Sequence, residues 1–123
     1  KYRTVSVFIR GADITPPPPE IVPNEMKRLI AWYGKNKRSI HPVVLAAYVH
    51  CAFEAIHPFV DGNGRVGRLA LNFILHRNGY PMISIPRAKR ARYFSTLAKA
   101  QEGELRPFLS LILHLLKSSE KSI

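Results

Sequence analysis

Cysteine is almost absent from this 123-residue sequence, in which Cys51 stands alone. One cysteine excludes an internal disulfide framework and fits a reducing compartment, so we expect a cytoplasmic location. No apolar run approaches the roughly 20 residues that a membrane-spanning helix needs, and no signal-peptide pattern is present. The chain is nevertheless 46% hydrophobic, which is enough for one compact domain over residues 1–123 with its own core.

Acidic residues are also scarce, because 8 Asp and Glu stand against 19 Lys and Arg, for a formal net charge of +11. Such an excess favours anionic partners, namely nucleotides, nucleic acid or an acidic protein. The alternative is a solvated basic surface whose acidic complement lies elsewhere in a longer protein. Because the first residue is Lys1 rather than Met, we expect this chain to be a piece of such a protein that lacks an N-terminal regulatory segment.

The pattern of apolar residues predicts an all-α bundle with one small β element. The segment from Thr4 to Ile9 alternates as a short strand, and Pro16 to Pro19 form an extended connector. The second helix has a wide apolar face and the third is apolar nearly all round, so we place both at the centre of the domain, and the fourth is expected to bury Phe94. The predicted helices cover 23–34, 39–57, 64–77, 88–101 and 107–116, and the chain divides into a flap strand region at 1–11, a Pro-rich connector at 12–22, a helical core at 23–116 and a frayed tail at 117–123.

The stretch from His57 to Arg68 gathers the residues that carry chemistry. Residues 62–64 are Gly-Asn-Gly, a sequence that lets the backbone turn its N–H groups towards the positive end of the following helix. Such a loop binds phosphate, and Arg65 and Arg68 project beside it from one helix face. Asp61 is a hard oxygen ligand suited to magnesium, and His57 can accept a proton near neutral pH. Nucleotide chemistry is therefore the leading hypothesis.

The same stretch resembles a family signature. It reads HPFVDGNGRVGR and matches every defined position of H-P-F-x-[D/E]-G-N-G-R-x-x-R, the motif of Fic domains. The resemblance implies a Fic-type helical bundle with a small N-terminal β-hairpin flap. It also implies an enzyme that transfers AMP from ATP to a hydroxyl group of a protein, with Mg²⁺ as cofactor and ATP as co-substrate.

By that resemblance, each residue of the motif has an expected role. His57 is the general base that deprotonates the target hydroxyl, and Asp61 holds magnesium against the α- and β-phosphates. Arg65 grips the β-phosphate and Arg68 the γ-phosphate. Glycine at position 64 resembles the branch that transfers AMP, whereas a branch that phosphorylates its target has lysine there. The phosphates are cradled, mainly through backbone N–H groups, by Gly62, Asn63 and Gly64.

Beyond the motif, the resemblance covers residues 2 to 116. The part from Arg77 to Leu109 is similar to the metazoan endoplasmic-reticulum branch of the family. By that comparison Tyr93 and Phe94 flank the adenine, with Gln101 near its edge, and helix packing is the alternative for both aromatic residues. The N-terminal strand corresponds to a flap that lies over the active site and pairs with the backbone of the target protein. Its residues are Val5, Val7 and Ile9.

Regulation and an alternative function complete the expectations. Many Fic proteins are restrained by a helix of pattern [S/T]-x-x-x-E-[G/N], whose glutamate pairs with the second arginine. The only Glu-Gly pair here is Glu102-Gly103, and Ala98 stands where Ser or Thr is required. An inhibitory helix is therefore expected from a missing N-terminal segment or from another protein.

Residues 62–67 also satisfy G-x-G-x-x-G, but that dinucleotide fingerprint must follow a strand, and a helix precedes it here. The alternative function is a non-catalytic regulator on this fold that binds nucleotides or, less favoured, nucleic acid.

Overall fold

The computed structural model describes residues 1–9 and 15–119 together with the backbone of 120 and 121. Over that part of the chain it is all-helical, so the predicted all-α class is confirmed. Within the described residues, no helix is long and apolar enough to cross a membrane. Two 3-10 turns, Pro19–Ile21 and Arg87–Lys89, lead into the first and fourth helices. The five helices are α1 (Val22–Asn36), α2 (Pro42–Ile56), α3 (Asn63–Arg77), α4 (Arg90–Gln101) and α5 (Arg106–Lys121).

Helix α2 forms the centre of the bundle. Nine of its fifteen residues are buried, and it packs against all four other helices. Small side chains at Ala46, Ala47 and Cys51 let these neighbours approach closely. Burial raises the pKa of the Cys51 thiol to about 12, so this cysteine is a core residue and not a nucleophile.

Helix α3 is buried on one face only, so the prediction that it lies at the centre of the domain was wrong. Its buried face, which includes Leu71 and Leu75, packs on α2. By contrast, Leu69 is 70% exposed and Phe73 55% exposed. Because α2 already occupies the centre, α3 has one close neighbour, and its remaining apolar residues line a groove of about 550 Å³ beside Ile30 of α1.

Turn-forming residues set the ends of the helices. Pro23 lies in the first turn of α1, as predicted, but Gly34 does not end that helix, which continues to Asn36. Asn78 and Gly79 end α3 as predicted, with Gly79 in the left-handed region at φ +85°. The ends of α1 and α3 therefore differ from the predicted ones by no more than two residues.

Residues 1–9 do not form the strand that was predicted for Thr4 to Ile9. A strand needs a partner for its N–H and C=O groups, and none of the described residues supplies one. The segment lies instead against the end of α2, where the N–H of Arg3 donates to the Pro58 carbonyl at 2.8 Å. Residues 10–14, which complete the predicted flap region and begin the connector, lie outside the described residues.

Candidate active site

The loop between α2 and α3 spans only residues 57–62 and brings His57 to the N-terminus of α3. His57 ends α2 in the left-handed region at φ +49°, and Gly62 precedes α3 at φ +83°, a conformation that glycine adopts without strain. The first helical hydrogen bond of α3 runs from the Val66 N–H to the Gly62 carbonyl at 3.1 Å. The N–H groups of residues 63–65 therefore have no intrahelical partner, and this end of α3 can bind an anion.

The side chain of Asn63 fixes the shape of the loop. Its Oδ1 accepts from the Phe59 N–H at 2.9 Å, and its Nδ2 donates to the Phe59 carbonyl at 2.8 Å. Asn63 is only 5% exposed. A buried amide with both bonds made inside the loop acts as a clamp, so position 63 can offer a phosphate only its backbone N–H.

The guanidinium groups of Arg65 and Arg68 lie over the glycines of the loop. Nη2 of Arg65 is 3.0 Å from the point where a Cβ of Gly62 would stand, and Nη1 of Arg68 is 3.1 Å from the corresponding point at Gly64. Neither arginine forms an ion pair, since the one salt bridge of the described residues lies on α1. Two cations are thus held at the N-terminus of α3 without an acidic partner.

A cleft of about 500 Å³ brings most of the predicted site residues together. The loop and α3 give it a polar end, and α4 gives it a mainly apolar end. A nucleotide has the same division, with charged phosphates at one end and a flat base at the other. The cleft is lined by Ile9, Glu54, His57, Asn63, Gly64, Arg68, Tyr93, Phe94, Leu97, Ala98 and Gln101. A larger hollow of about 590 Å³ beside α1 contains none of the loop residues.

Several predicted residues do not line this cleft. Asp61 and Arg65 are exposed on the loop and the first turn of α3. The Asp61 carboxylate makes no hydrogen bond or ion pair with any described residue. Val5 is 52% exposed and Val7 half-buried, whereas Ile9 reaches the cleft itself.

Tyr93 and Phe94 are adjacent in α4 but have opposite environments. Tyr93 is 4% exposed, whereas Phe94 is 59% exposed, so the predicted burial of Phe94 was wrong. Nδ1 of His50 lies 2.9 Å from the Gly67 carbonyl, which can only accept, so this nitrogen carries the proton. Nε2 of His50 therefore accepts from the Tyr93 hydroxyl at 2.6 Å. Burial lowers the pKa of His50 to about 4, which keeps the ring neutral and this bridge intact.

Glu54 is a cleft residue that the sequence reasoning missed. Its Oε2 is buried and has no hydrogen-bond partner. Burial raises the pKa of Glu54 to about 7, although the positive charge of Arg68 acts in the opposite direction. One signal was available in the sequence, because Glu54 is the only acidic residue of α2 and stands three residues before His57.

The surroundings of His57 favour its neutral imidazole form. Burial lowers its pKa, and the positive charge of Arg3 adds to that effect. Arg3 is 3% exposed, and its Nε donates to the His57 carbonyl at 2.6 Å. No spacing or motif predicts this contact, because the two residues are 54 positions apart.

Comparisons with known proteins point to one family. The model of the Fic/DOC family matches residues 1–75. The protein adenylyltransferase Fic of Drosophila persimilis is 41% identical over 113 residues, which cover 91% of this chain and 22% of that protein. The protein adenylyltransferase fic-1 of Caenorhabditis elegans is 38% identical over 124 residues, which cover 100% of this chain and 23% of that protein.

Solved structures agree with these sequence matches. Fic-1 of C. elegans has a TM-score of 0.88 at 33% identity, covering 99% of this chain and 36% of that one. A Fic-domain protein of Bacteroides thetaiotaomicron has a TM-score of 0.80 at 35% identity, covering 94% of this chain and 50% of that one. The chain therefore spans less than a quarter of the length of the two curated relatives.

Proposed function

This chain belongs to the Fic/DOC family, and from that premise we propose that it is a protein adenylyltransferase. It transfers AMP from magnesium-bound ATP to a Ser, Thr or Tyr hydroxyl of a target protein and releases pyrophosphate. The observation that carries the proposal is the cleft in which His57, Gly64 and Arg68 meet the apolar wall of α4. The relatives that match most of this chain bear the name protein adenylyltransferase, which supports the same activity.

His57 is the proposed general base. A neutral imidazole can take the proton of the target hydroxyl, and the lowered pKa of His57 keeps the imidazole neutral. The hydroxyl oxygen then forms a bond to the α-phosphorus, while the bond from that phosphorus to the oxygen bridging the β-phosphate breaks. The electron pair of the broken bond leaves with pyrophosphate.

The N-terminus of α3 is the proposed phosphate site. The N–H groups of residues 63–65 lack helical partners and can donate to phosphate oxygens, with Gly62 and Gly64 keeping the approach open. Arg65 binds the β-phosphate and Arg68 the γ-phosphate, which orients pyrophosphate as the leaving group. Positioning and charge neutralisation of this kind are what phosphoryl-type transfer needs most.

Asp61 is the proposed magnesium ligand. Its carboxylate is exposed and has no partner among the described residues. One carboxylate suits this ion, because magnesium in nucleotide sites keeps several waters and takes one or two carboxylates together with phosphate oxygens. The ion, when bound, neutralises part of the charge of the triphosphate.

The apolar end of the cleft is the proposed adenine site. Phe94 offers an exposed ring for stacking, and the ring of Tyr93 lies behind it at a centroid distance of 5.1 Å. Gln101 is half-buried at the end of α4 and can hydrogen-bond the edge of the base. In this arrangement Tyr93 supports Phe94 and contributes little ring surface of its own.

The N-terminal segment is the proposed site for the protein substrate. Ile9 lines the cleft that also contains His57, and Val5 and Val7 lie earlier in the same segment. A target protein bound along this segment would therefore come close to His57.

We also propose that Arg68 is the point at which an inhibitory glutamate from another segment or protein acts. One guanidinium cannot hold both that carboxylate and the γ-phosphate.

The single, buried cysteine favours a reducing location such as the cytoplasm.

Labelled ATP tests the proposed activity. In the presence of magnesium and a cell lysate, adding this protein is expected to increase protein labelling from α-labelled ATP but not from γ-labelled ATP, because pyrophosphate leaves. His57→Ala should lower the labelling rate by a factor of about 10²–10⁴, because the base is lost. Calorimetric titration should show nearly unchanged ATP affinity, because the phosphate site is intact.

The matched control is His114→Ala, which replaces an exposed histidine of α5 and should label like the wild type. If the His57→Ala variant labels protein at the wild-type rate, His57 is not the base. Nucleotide binding without any transfer by the wild type would favour the alternative, a non-catalytic nucleotide-binding regulator whose net charge of +11 attracts its anionic ligand.

A further inference from the structure

Arg3 lies at the junction of three segments of the chain. Its guanidinium donates to four backbone carbonyls: Nε to His57 at 2.6 Å, Nη1 to Val5 at 3.0 Å, and Nη2 to Pro17 at 2.6 Å and Ile56 at 3.2 Å. Its backbone N–H donates to the Pro58 carbonyl at 2.8 Å. Three consecutive peptide units, at residues 56, 57 and 58, are therefore bonded to this one residue. We propose that Arg3 is the positioning residue of the base, which holds His57 in its strained turn and directs the imidazole into the cleft.

The strain at His57 shows why such a residue is needed. His57 is the only non-glycine residue with a positive φ among the described residues, at +49°. That conformation is unfavourable for a residue with a Cβ and persists only where its surroundings hold it. The turn also changes the direction of the chain, so that the side chain at position 57 lines the cleft instead of continuing the surface of α2. Bonds to the carbonyls on both sides of His57 hold it in this turn.

The charge of Arg3 has no carboxylate partner among the described residues. Its acceptors at Ile56 and His57 are carbonyls at the end of α2, which lack helical partners and carry the negative end of the helix dipole. A guanidinium can reach several carbonyls at fixed angles, whereas an ammonium is a single point. The site therefore needs the geometry of arginine as well as its charge.

The same cation stands beside the base. A positive charge close to His57 disfavours the imidazolium form, and this acts in the same direction as burial of the ring. Arg3 thus has two separable effects on His57, namely its position and its protonation. Its bonds to the Val5 and Pro17 carbonyls also hold the proposed target-binding segment at the same point.

Two variants separate these effects. Arg3→Lys keeps the charge but cannot span four carbonyls, whereas Arg3→Met removes both the charge and the donors. With Arg3→Lys, the AMP-labelling rate at saturating ATP should fall by about 10- to 100-fold with the KM for ATP unchanged, because a misplaced base slows only the transfer step. The acid limb of its pH profile should stay in place. With Arg3→Met, the acid limb should also move to higher pH, since the base then protonates more readily.

A second measurement does not depend on activity. NMR titration of the labelled histidines, with His57 assigned by comparison with His57→Ala, should give a higher imidazole pKa in Arg3→Met than in the wild type and little change in Arg3→Lys. The ¹³Cα and ¹³Cβ shifts of His57 should leave the left-handed pattern in both variants. Arg38→Met, which removes an exposed arginine, should match the wild type throughout. If Arg3→Met does not fold, Arg3→Lys decides the matter through its rate and shifts.

The proposal rests on His57 being the base of the proposed transfer, and the two measurements separate their failures. A wild type that never transfers AMP overturns the proposed function, while the NMR shifts still test the role of Arg3. A folded Arg3→Lys with wild-type rate and shifts would overturn the positioning role. An unchanged His57 pKa in a folded Arg3→Met would overturn the electrostatic part.

Discussion

Gly67 of α3 packs directly against Glu54 and His50 of α2. A Cβ added there would lie 3.0 Å from Oε2 of Glu54 and 3.3 Å from Cε1 of His50. The His50 ring cannot move freely, because it is fully buried and bonded at both ring nitrogens. The glycine is thus required by packing, since no positive φ is found at this position.

We predict that Gly67→Ala destabilises the fold by about 1–3 kcal/mol, the usual cost of overpacking a filled core. Gly34→Ala is the matched control, because it lies within α1 and its added Cβ would meet nothing within 4 Å. That change should instead stabilise the fold by about 0.5–1 kcal/mol, as alanine does in a helix. Urea unfolding of both variants measures the difference. Equal stabilities would mean that the gap between α2 and α3 adjusts to a methyl group.

Helix α4 places its two adjacent aromatic residues, Tyr93 and Phe94, in different environments. The hydroxyl of Tyr93 ties α4 to α2 through His50, and the carbonyl of Gly67 ties His50 to α3. Phe94, one position further, turns its ring outwards into the cleft. We therefore expect Tyr93 to contribute to stability and Phe94 to the proposed binding of adenine.

We predict opposite outcomes for substitutions at these two positions. Tyr93→Phe should cost about 1–3 kcal/mol of stability, because Nε2 of His50 is left buried without a donor. Phe94→Ala should change stability by no more than about 0.5 kcal/mol, because the ring is exposed, but should weaken ATP binding. Thermal unfolding and calorimetric titration of both variants distinguish the two roles. Loss of ATP affinity in Tyr93→Phe alone would assign the stacking surface to Tyr93 instead.

Local patterns predicted most of the helices, and long-range contacts account for the failures. Proline and glycine predicted the ends of α1 and α3 to within two residues, because helix termini depend on local backbone geometry. The surroundings of Phe94 and Leu69 were misjudged, because apolar composition does not say which helix occupies the centre. The strand from Thr4 to Ile9 failed for a related reason, since an alternating pattern does not supply a partner strand.

The motif revealed the loop but not the residues that support it. His57 and the residues of the proposed phosphate site lie within residues 57–68, so one short motif was enough to propose them. Arg3 acts across 54 positions and was invisible to any spacing argument. His50 and Glu54 stand at i and i+4 on one face of an otherwise apolar helix, and His57 directly follows the end of that helix. That polar stripe was a readable signal for a buried titratable cluster on α2.

The stability of the whole molecule depends on pH through Glu54 and His50, which act in opposite directions. The pKa of Glu54 is raised from 4.5 to about 7, so the native state retains its proton in a range where the unfolded chain releases it. Its contribution lowers stability as pH rises across that range. The pKa of His50 is lowered from 6.5 to about 4, so its contribution raises stability as pH rises between those values. The two contributions therefore oppose each other between pH 4.5 and 6.5.

We predict that Glu54→Gln removes the falling contribution and leaves the rising one. The free energy of unfolding of the variant relative to the wild type should increase with pH from about 4.5 and level off above about 7, with a slope of at most about 1.4 kcal/mol per pH unit. Urea unfolding at several pH values measures this difference, in which the contributions of the histidines cancel. Glu20→Gln, at an exposed position before α1, should show no such trend. A difference that does not vary with pH would mean that Glu54 ionises as readily in the fold as in the unfolded chain, because water or Arg68 compensates its burial.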